Sequence, residues 1–317
     1  MLGLIFLKNF FAASAALLCI GVLYSCSDNS RSTFDDIPQM SSVNEVITEE
    51  IVTEPETQPI TEIKLATADG TYIYDNAGVL TGEAFTNCND YAGWLYKERL
   101  INAAVVTTND LGGKTPYEFA EAAYEEIYAG KGSGFLLLIN NDTNNDYIYK
   151  TGSCSVYVSS ESEKQEFYWA TRELVNEDYE GAVLRLLKLA VNCPSHLFDN
   201  AGVFTAEKGA ELDSIISACD TQLSVLVTEN STGSTNEELL KTYFDRRYGS
   251  ESGIMLLVDT ASKTVTVVSD SELPQRLSAV LDKANAYAVK SDYEAAIITI
   301  TDAMGAAAAE SATTSAN

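Results

Sequence analysis

The stretches YDNAGVLT (74–81) and FDNAGVFT (198–205) are nearly the same eight residues, with Asp75 and Asp199 standing 124 positions apart. The residues after each stretch keep the same order. Cys88, Tyr91, Ala92 and Leu95 fall at the i, i+3, i+4, i+7 spacing of an amphipathic helix, and Leu212, Ile215, Ile216 and Cys219 repeat it at the same offset. Thr81 or Thr205 precedes each helix, and Glu83 or Glu207 occupies the first turn, where the helix dipole favours an acid. The runs AAVVTT (103–108) and LSVLVT (223–228) then read as buried strands.

Both copies open a second helix with a capping box, Thr115-Pro116-Tyr117-Glu118 and Thr235-Asn236-Glu237-Glu238, and end it near Tyr128-Ala129-Gly130 and Tyr248-Gly249. A strand comes next (GFLLLIN from Gly134, GIMLLVD from Gly253), then a polar turn, a partner strand and two closing helices. Helices alternating with apolar strands, plus one tight hairpin, predict α/β folding: two tandem α/β/α sandwich domains, each with a mixed, mostly parallel sheet. The expected boundaries are 70–192 and 193–309, with a small, polar, disordered tail over 310–317 and each copy able to fold alone.

The preceding residues are of another kind. Lys8 and the 14-residue apolar run 10–23 are too short for a membrane span and suit a signal peptide. The run leads into Leu23-Tyr24-Ser25-Cys26, which resembles a bacterial lipobox. Cleavage after residue 25 would leave Cys26 acylated, anchored in the extracytoplasmic face of the cell membrane. Residues 26–69 form a Thr-, Glu- and Pro-rich segment; ten acids against two bases over 27–69 predict an extended tether. A net charge of −26 over 317 residues excludes nucleic acid as a partner and electrostatic docking on anionic lipid.

The Asp-x-Ala-Gly opening, the Leu111-Gly112-Gly113 turn, the Gly-Phe-Leu-Leu-Leu strand and the Asp-Tyr before the last helix together resemble the TPM domain, also called the TPM phosphatase domain. The resemblance implies an α/β/α sandwich, usually extracytoplasmic. It further implies either acid phosphatase activity or metal binding, or a role as an accessory factor for membrane proteins. The family's Gly-x-Gly turn after the hairpin is altered here to Gly152-Ser153-Cys154, and in the second copy to Asp270-Ser271-Glu272. Leu-x-Gly becomes Ser231-Thr232-Gly233. The second copy therefore reads as the more structural one.

Catalytic templates are sparse. The sole histidine, His196, lies in the connection between copies, so the first copy holds no Ser-His or Cys-His pair of its own. There is no Cys-x5-Arg loop and no Walker glycine loop. Oxygen chemistry remains. Asp75, with Asp110, and less strongly Asp199, are candidate ligands for Ca2+ or Mg2+, beside a binding turn of Asn76, Asn109, Gly152 and Ser153 at one sheet edge. The alternative role for Asp75 and Asp199 is to cap their own turns through backbone amides. NNDTNND (140–146) reads as a hairpin turn rather than a calcium cage. Cys88 and Cys219 read as buried free thiols, and a Cys154–Cys193 bridge stays open. Two functions survive: a lipid-anchored module that docks to another envelope protein, and a metal-assisted acid phosphatase centred on the first copy.

Overall fold

Two four-stranded sheets carry the molecule, one in each half of the chain, and in both the strands lie side by side in chain order. The computed structural model describes residues 70–314 apart from 130–131, 144, 220–221 and 272–274. The expected signal peptide, Cys26, the tether, Gly130 and Glu272 lie outside the described residues.

In the first repeat, β1 (Ile73–Asp75), β2 (Asn102–Thr108) and β3 (Gly134–Asn140) are parallel, and β4 (Tyr147–Thr151) returns antiparallel to β3. The alternation of side chains splits β2 between two cores. Ala103 and Val105 face α1 (Gly82–Glu98) and α5 (Tyr179–Leu187), while Ala104 and Val106 face Phe119 and Tyr124 of α2 (Pro116–Tyr128). Helices thus cover both faces, which is why every residue of β2 is buried. The short α3 (Ser153–Tyr157) and α4 (Ser160–Val175) complete the layer beside α5.

The second repeat has the same plan. It comprises β5 (Leu197–Asp199), α6 (Ala206–Ser217), β6 (Leu223–Thr228), α7 (Asn236–Tyr248), β7 (Ile254–Asp259), β8 (Thr264–Ser269), α8 (Gln275–Val289) and α9 (Tyr293–Thr314). Both capping boxes form as the sequence predicts: the hydroxyls of Thr115 and Thr235 accept from the N–H of Glu118 and Glu238, whose carboxylates reach back. α2 ends at Tyr128 as expected, with Ala129 in the left-handed region at φ 51°, and one local expectation differs. α9 runs to Thr314, past the expected domain end at 309, because Ala306–Ala309 is the best helix-forming run in the chain.

The two repeats belong to one compact unit and are not independent. Leu100, in the turn after α1 and itself left-handed at φ 48°, is buried among Phe198, Leu226, Leu240 and Phe244 of the second repeat. Arg247 of α7 lies 2.8 Å from the Glu98 carboxylate, and Arg246 donates from Nε to the Tyr96 carbonyl at 2.6 Å. Repeat 1 therefore plugs a side chain into the core of repeat 2. The two repeats thus share packing across their junction.

Candidate functional site

The carboxyl ends of parallel strands are where an open α/β sheet binds ligands. In repeat 1 this edge carries Asp75, Asn76, Asn109 and Asp110. Asp75 Oδ1 accepts from Val79 N at 3.1 Å and from the Thr107 hydroxyl at 2.5 Å, and Oδ2 accepts from Leu80 N at 2.9 Å. The Thr107 hydroxyl also accepts from Ala77 N at 3.1 Å, tying the turn to the neighbouring strand. Asp110 Oδ1 closes its own turn through Gly112 N at 2.8 Å, and Asn109 accepts from Asn141 at 3.1 Å. Both oxygens of Asp75, and Oδ1 of Asp110, are therefore occupied by nearby N–H or O–H donors. Donors of that kind repel a cation, and the described residues hold no group of three or more His, Cys, Asp or Glu that could bind a metal. The bonds that Asp75 and Asp110 make are those of turn caps.

Gly152 and Ser153 are not at this edge. Thr151 pairs with Gly134, at the start of β3, whereas Asp75 pairs with Thr107, which pairs with Ile139. Five residues of strand, about 16 Å, separate the two levels. The expected grouping of Asp75 with the Gly152 turn fails because β4 runs antiparallel and delivers Gly152 to the opposite end of the sheet. Ser153 begins α3 and donates its N–H to the Ser133 hydroxyl at 2.8 Å. Gly152 is left-handed at φ 56°, and a side chain there would strike Ser133.

That opposite end faces the second repeat. Ser133 donates both its N–H (3.0 Å) and its hydroxyl (2.6 Å) to Asn200 Oδ1, so the Asp-Asn-Ala-Gly turn of repeat 2 grips repeat 1. Below it Asp199 is buried. Its oxygens accept from Val203 N at 3.2 Å and Phe204 N at 2.9 Å, but its register partner is Val227, which has no hydroxyl to offer. Burial raises the Asp199 pKa, against the lowering effect of the backbone bonds. Asp199 is a turn cap as well.

Several important residues carry no motif. Asp259 at the end of β7 gathers Asn230 N at 3.1 Å, Ala261 N at 3.0 Å, Asn236 Nδ2 at 3.2 Å and the Ser262 hydroxyl. Burial raises its pKa, but these donors prevail and hold it below the usual carboxylate value. Where the repeats meet, a cleft of about 920 Å³ opens between Asn102 and Gly132 on one side and Asn200, Ser231 and Arg246 on the other.

The TPM domain family matches residues 73–193 and again 197–307. The chain belongs to the TPM domain family. Its two TPM domains coincide with the two sheets just described. The chain is also similar to a solution NMR structure, the N-terminal domain of a protein from P. gingivalis, at 17% sequence identity, over 38% of this chain and 83% of that one, with a TM-score of 0.35. No curated protein matches.

Proposed function

We propose that the chain is a lipid-anchored, extracytoplasmic docking module. In this reading Cys26 holds it to the bilayer, residues 26–69 space it from the surface, and the paired TPM domains bind another envelope protein. The observation that carries the reading is the grip of Asn200 on Ser133. Asn200 follows the carboxyl end of β5, and there its side chain holds a folded surface of repeat 1. Repeat 1 presents the same turn at its own edge, with Asn76 and Gly78 exposed. No described helix is long and apolar enough to cross a membrane, so the anchor in this reading is covalent lipid.

A photo-crosslinking residue placed at Asn76 in cells tests the docking edge, with the same residue at exposed Glu161 as control. A discrete adduct with one envelope protein at 76 but not at 161 is expected. Absence of any adduct at 76, together with metal-dependent hydrolysis of a generic phosphomonoester by the purified full chain, would replace this reading with the phosphatase.

A further inference from the structure

Arg246 is a largely enclosed cation with no acid beside it among the described residues. Its Nε donates to the Tyr96 carbonyl at 2.6 Å, and its guanidinium carbon lies 3.4 Å from the centre of the Tyr96 ring and 6.0 Å from that of Tyr243. Its Nη2 is buried and meets no acceptor. The adjacent Arg247 shows what is missing, since that guanidinium has the Glu98 carboxylate at 2.8 Å. An arginine withdrawn from water without a counter-charge is costly, because one carbonyl bond and a ring contact repay only part of its lost hydration. Burial accordingly pulls its pKa below the usual arginine value. A chain with 46 acids and 20 bases could readily have supplied a carboxylate here, as it does for Arg247.

Arg246 also lines the inter-repeat cleft, whose volume of about 920 Å³ is within the range of small-molecule sites. We propose that this cleft binds a small hydroxylated organic acid, whose carboxylate pairs with the guanidinium of Arg246. Three features set the chemistry. A guanidinium forms a strong, charge-assisted hydrogen bond to a carboxylate. Glu229 lines the same cleft, so one cation facing one fixed anion suits a monoanion better than a doubly charged phosphate ester. The remaining lining, including the hydroxyls of Thr228, Ser231 and Thr232 and the ring of Tyr243, suits the hydroxyls and flat face of a sugar acid. The site exists only where the two repeats meet, and it stands whether or not the docking reading holds.

The test is calorimetric titration of the purified full chain with D-glucuronate, D-glucose and inorganic phosphate. Glucuronate should bind saturably, at least tenfold more tightly than glucose or phosphate. Arg246→Gln should abolish that binding. Because Arg246 also stacks on Tyr96, the decisive variant is Glu229→Gln, at an exposed position with no structural duty. It should leave the ligand-free melting temperature unchanged and tighten glucuronate binding several-fold, without changing glucose. The proposal is overturned if neither wild type nor Glu229→Gln binds glucuronate, if glucose binds as well as glucuronate, or if phosphate binds more tightly than both.

Discussion

Gly209 of α6 lies so close beneath the phenolic oxygen of Tyr157 that any Cβ at 209 would overlap it. The matching position in repeat 1, 124 residues earlier, is Phe85. Repeat 2 thus gives up a ring so that α3 of repeat 1 can seat against α6. Gly209→Ala should cost about 1–3 kcal/mol through overpacking, although alanine by itself favours a helix by about 1 kcal/mol. The Tyr157 oxygen is buried without a partner, so Tyr157→Phe should be neutral or slightly stabilising. Urea unfolding of the single and double variants measures the coupling. Strictly additive effects of Gly209→Ala and Tyr157→Ala would remove the contact from the account.

Leu100 belongs to one repeat by sequence and to the other by packing. Leu100→Ala should cost about 2–5 kcal/mol, the range for a buried leucine. The loss should appear in both halves, with amide exchange quickening in β6 and β7 as well as in β2. Faster exchange confined to residues 70–192 would show that Leu100 does not bridge the cores. For the same reason a fragment of 195–317, which bares Phe198 and Phe244, should be less stable than that segment within the whole chain.

The repeat, both capping boxes and the α/β/α layering are legible in the sequence because each rests on local spacing: 3.6-residue stripes, Thr-x-x-Glu boxes, short β-branched runs. The site is less legible. Asp75 and Asn76 stand out by their repetition, but sequence alone groups Gly152 with them wrongly, since only the antiparallel return of β4 decides which end of the sheet it reaches. Arg246, Tyr96 and Asn102 come from three elements of two repeats, and no spacing links them. One signal is there to find. At the offset of 120 that aligns α7 with α2, Tyr243 and Arg246 replace Ala123 and Glu126, marking that face of α7 as altered for a purpose.

Asp75 joins three donors to one side chain, so its loss is a structural event. Asp75→Asn places an amide where a carboxylate accepts from Val79, Leu80 and Thr107, and should cost about 1–3 kcal/mol. That cost should be the same in chelator and in millimolar calcium. A melting temperature that rises with calcium in wild type and not in Asp75→Asn would assign the residue to a cation.

Cys88 is fully buried on α1, and burial with nearby Glu180 pushes its thiol up to about 12. Cys154 is raised too, first by its hydrogen bond with Cys193 and then by burial, and the two sulfurs lie 3.8 Å apart. Since the thiolate is the nucleophile, folded protein at neutral pH should leave Cys88 and Cys154 unalkylated by iodoacetamide, with both reacting in urea. Peptide mass mapping reads the result. Any disulfide formed in the folded protein should be Cys154–Cys193, whose sulfurs already lie 3.8 Å apart, and a Cys88–Cys219 product would contradict the packing.

His196 stands at the junction of the repeats, with Nδ1 3.0 Å from the Ser195 hydroxyl and 3.9 Å from Asp213. Burial lowers its pKa; Asp213 pulls the other way, and Arg247 and Arg99 add to the lowering. A folded pKa below the unfolded value of 6.5 means that the unfolded chain takes up the proton first as pH falls. The contribution of the neutral imidazole is therefore complete above that value and is lost as pH drops toward the folded pKa. Other groups titrate as well. Asp199, whose pKa is raised by burial, works in the opposite direction. The measurement is accordingly a difference, the unfolding free energy of wild type minus that of His196→Gln, followed from pH 8 to pH 5.5. Glutamine keeps a hydrogen-bonding group beside Ser195 and cannot titrate. The difference should fall steadily with pH across this interval. A constant difference would mean that His196 titrates alike in both states, and that the junction between the repeats is open to water at this point.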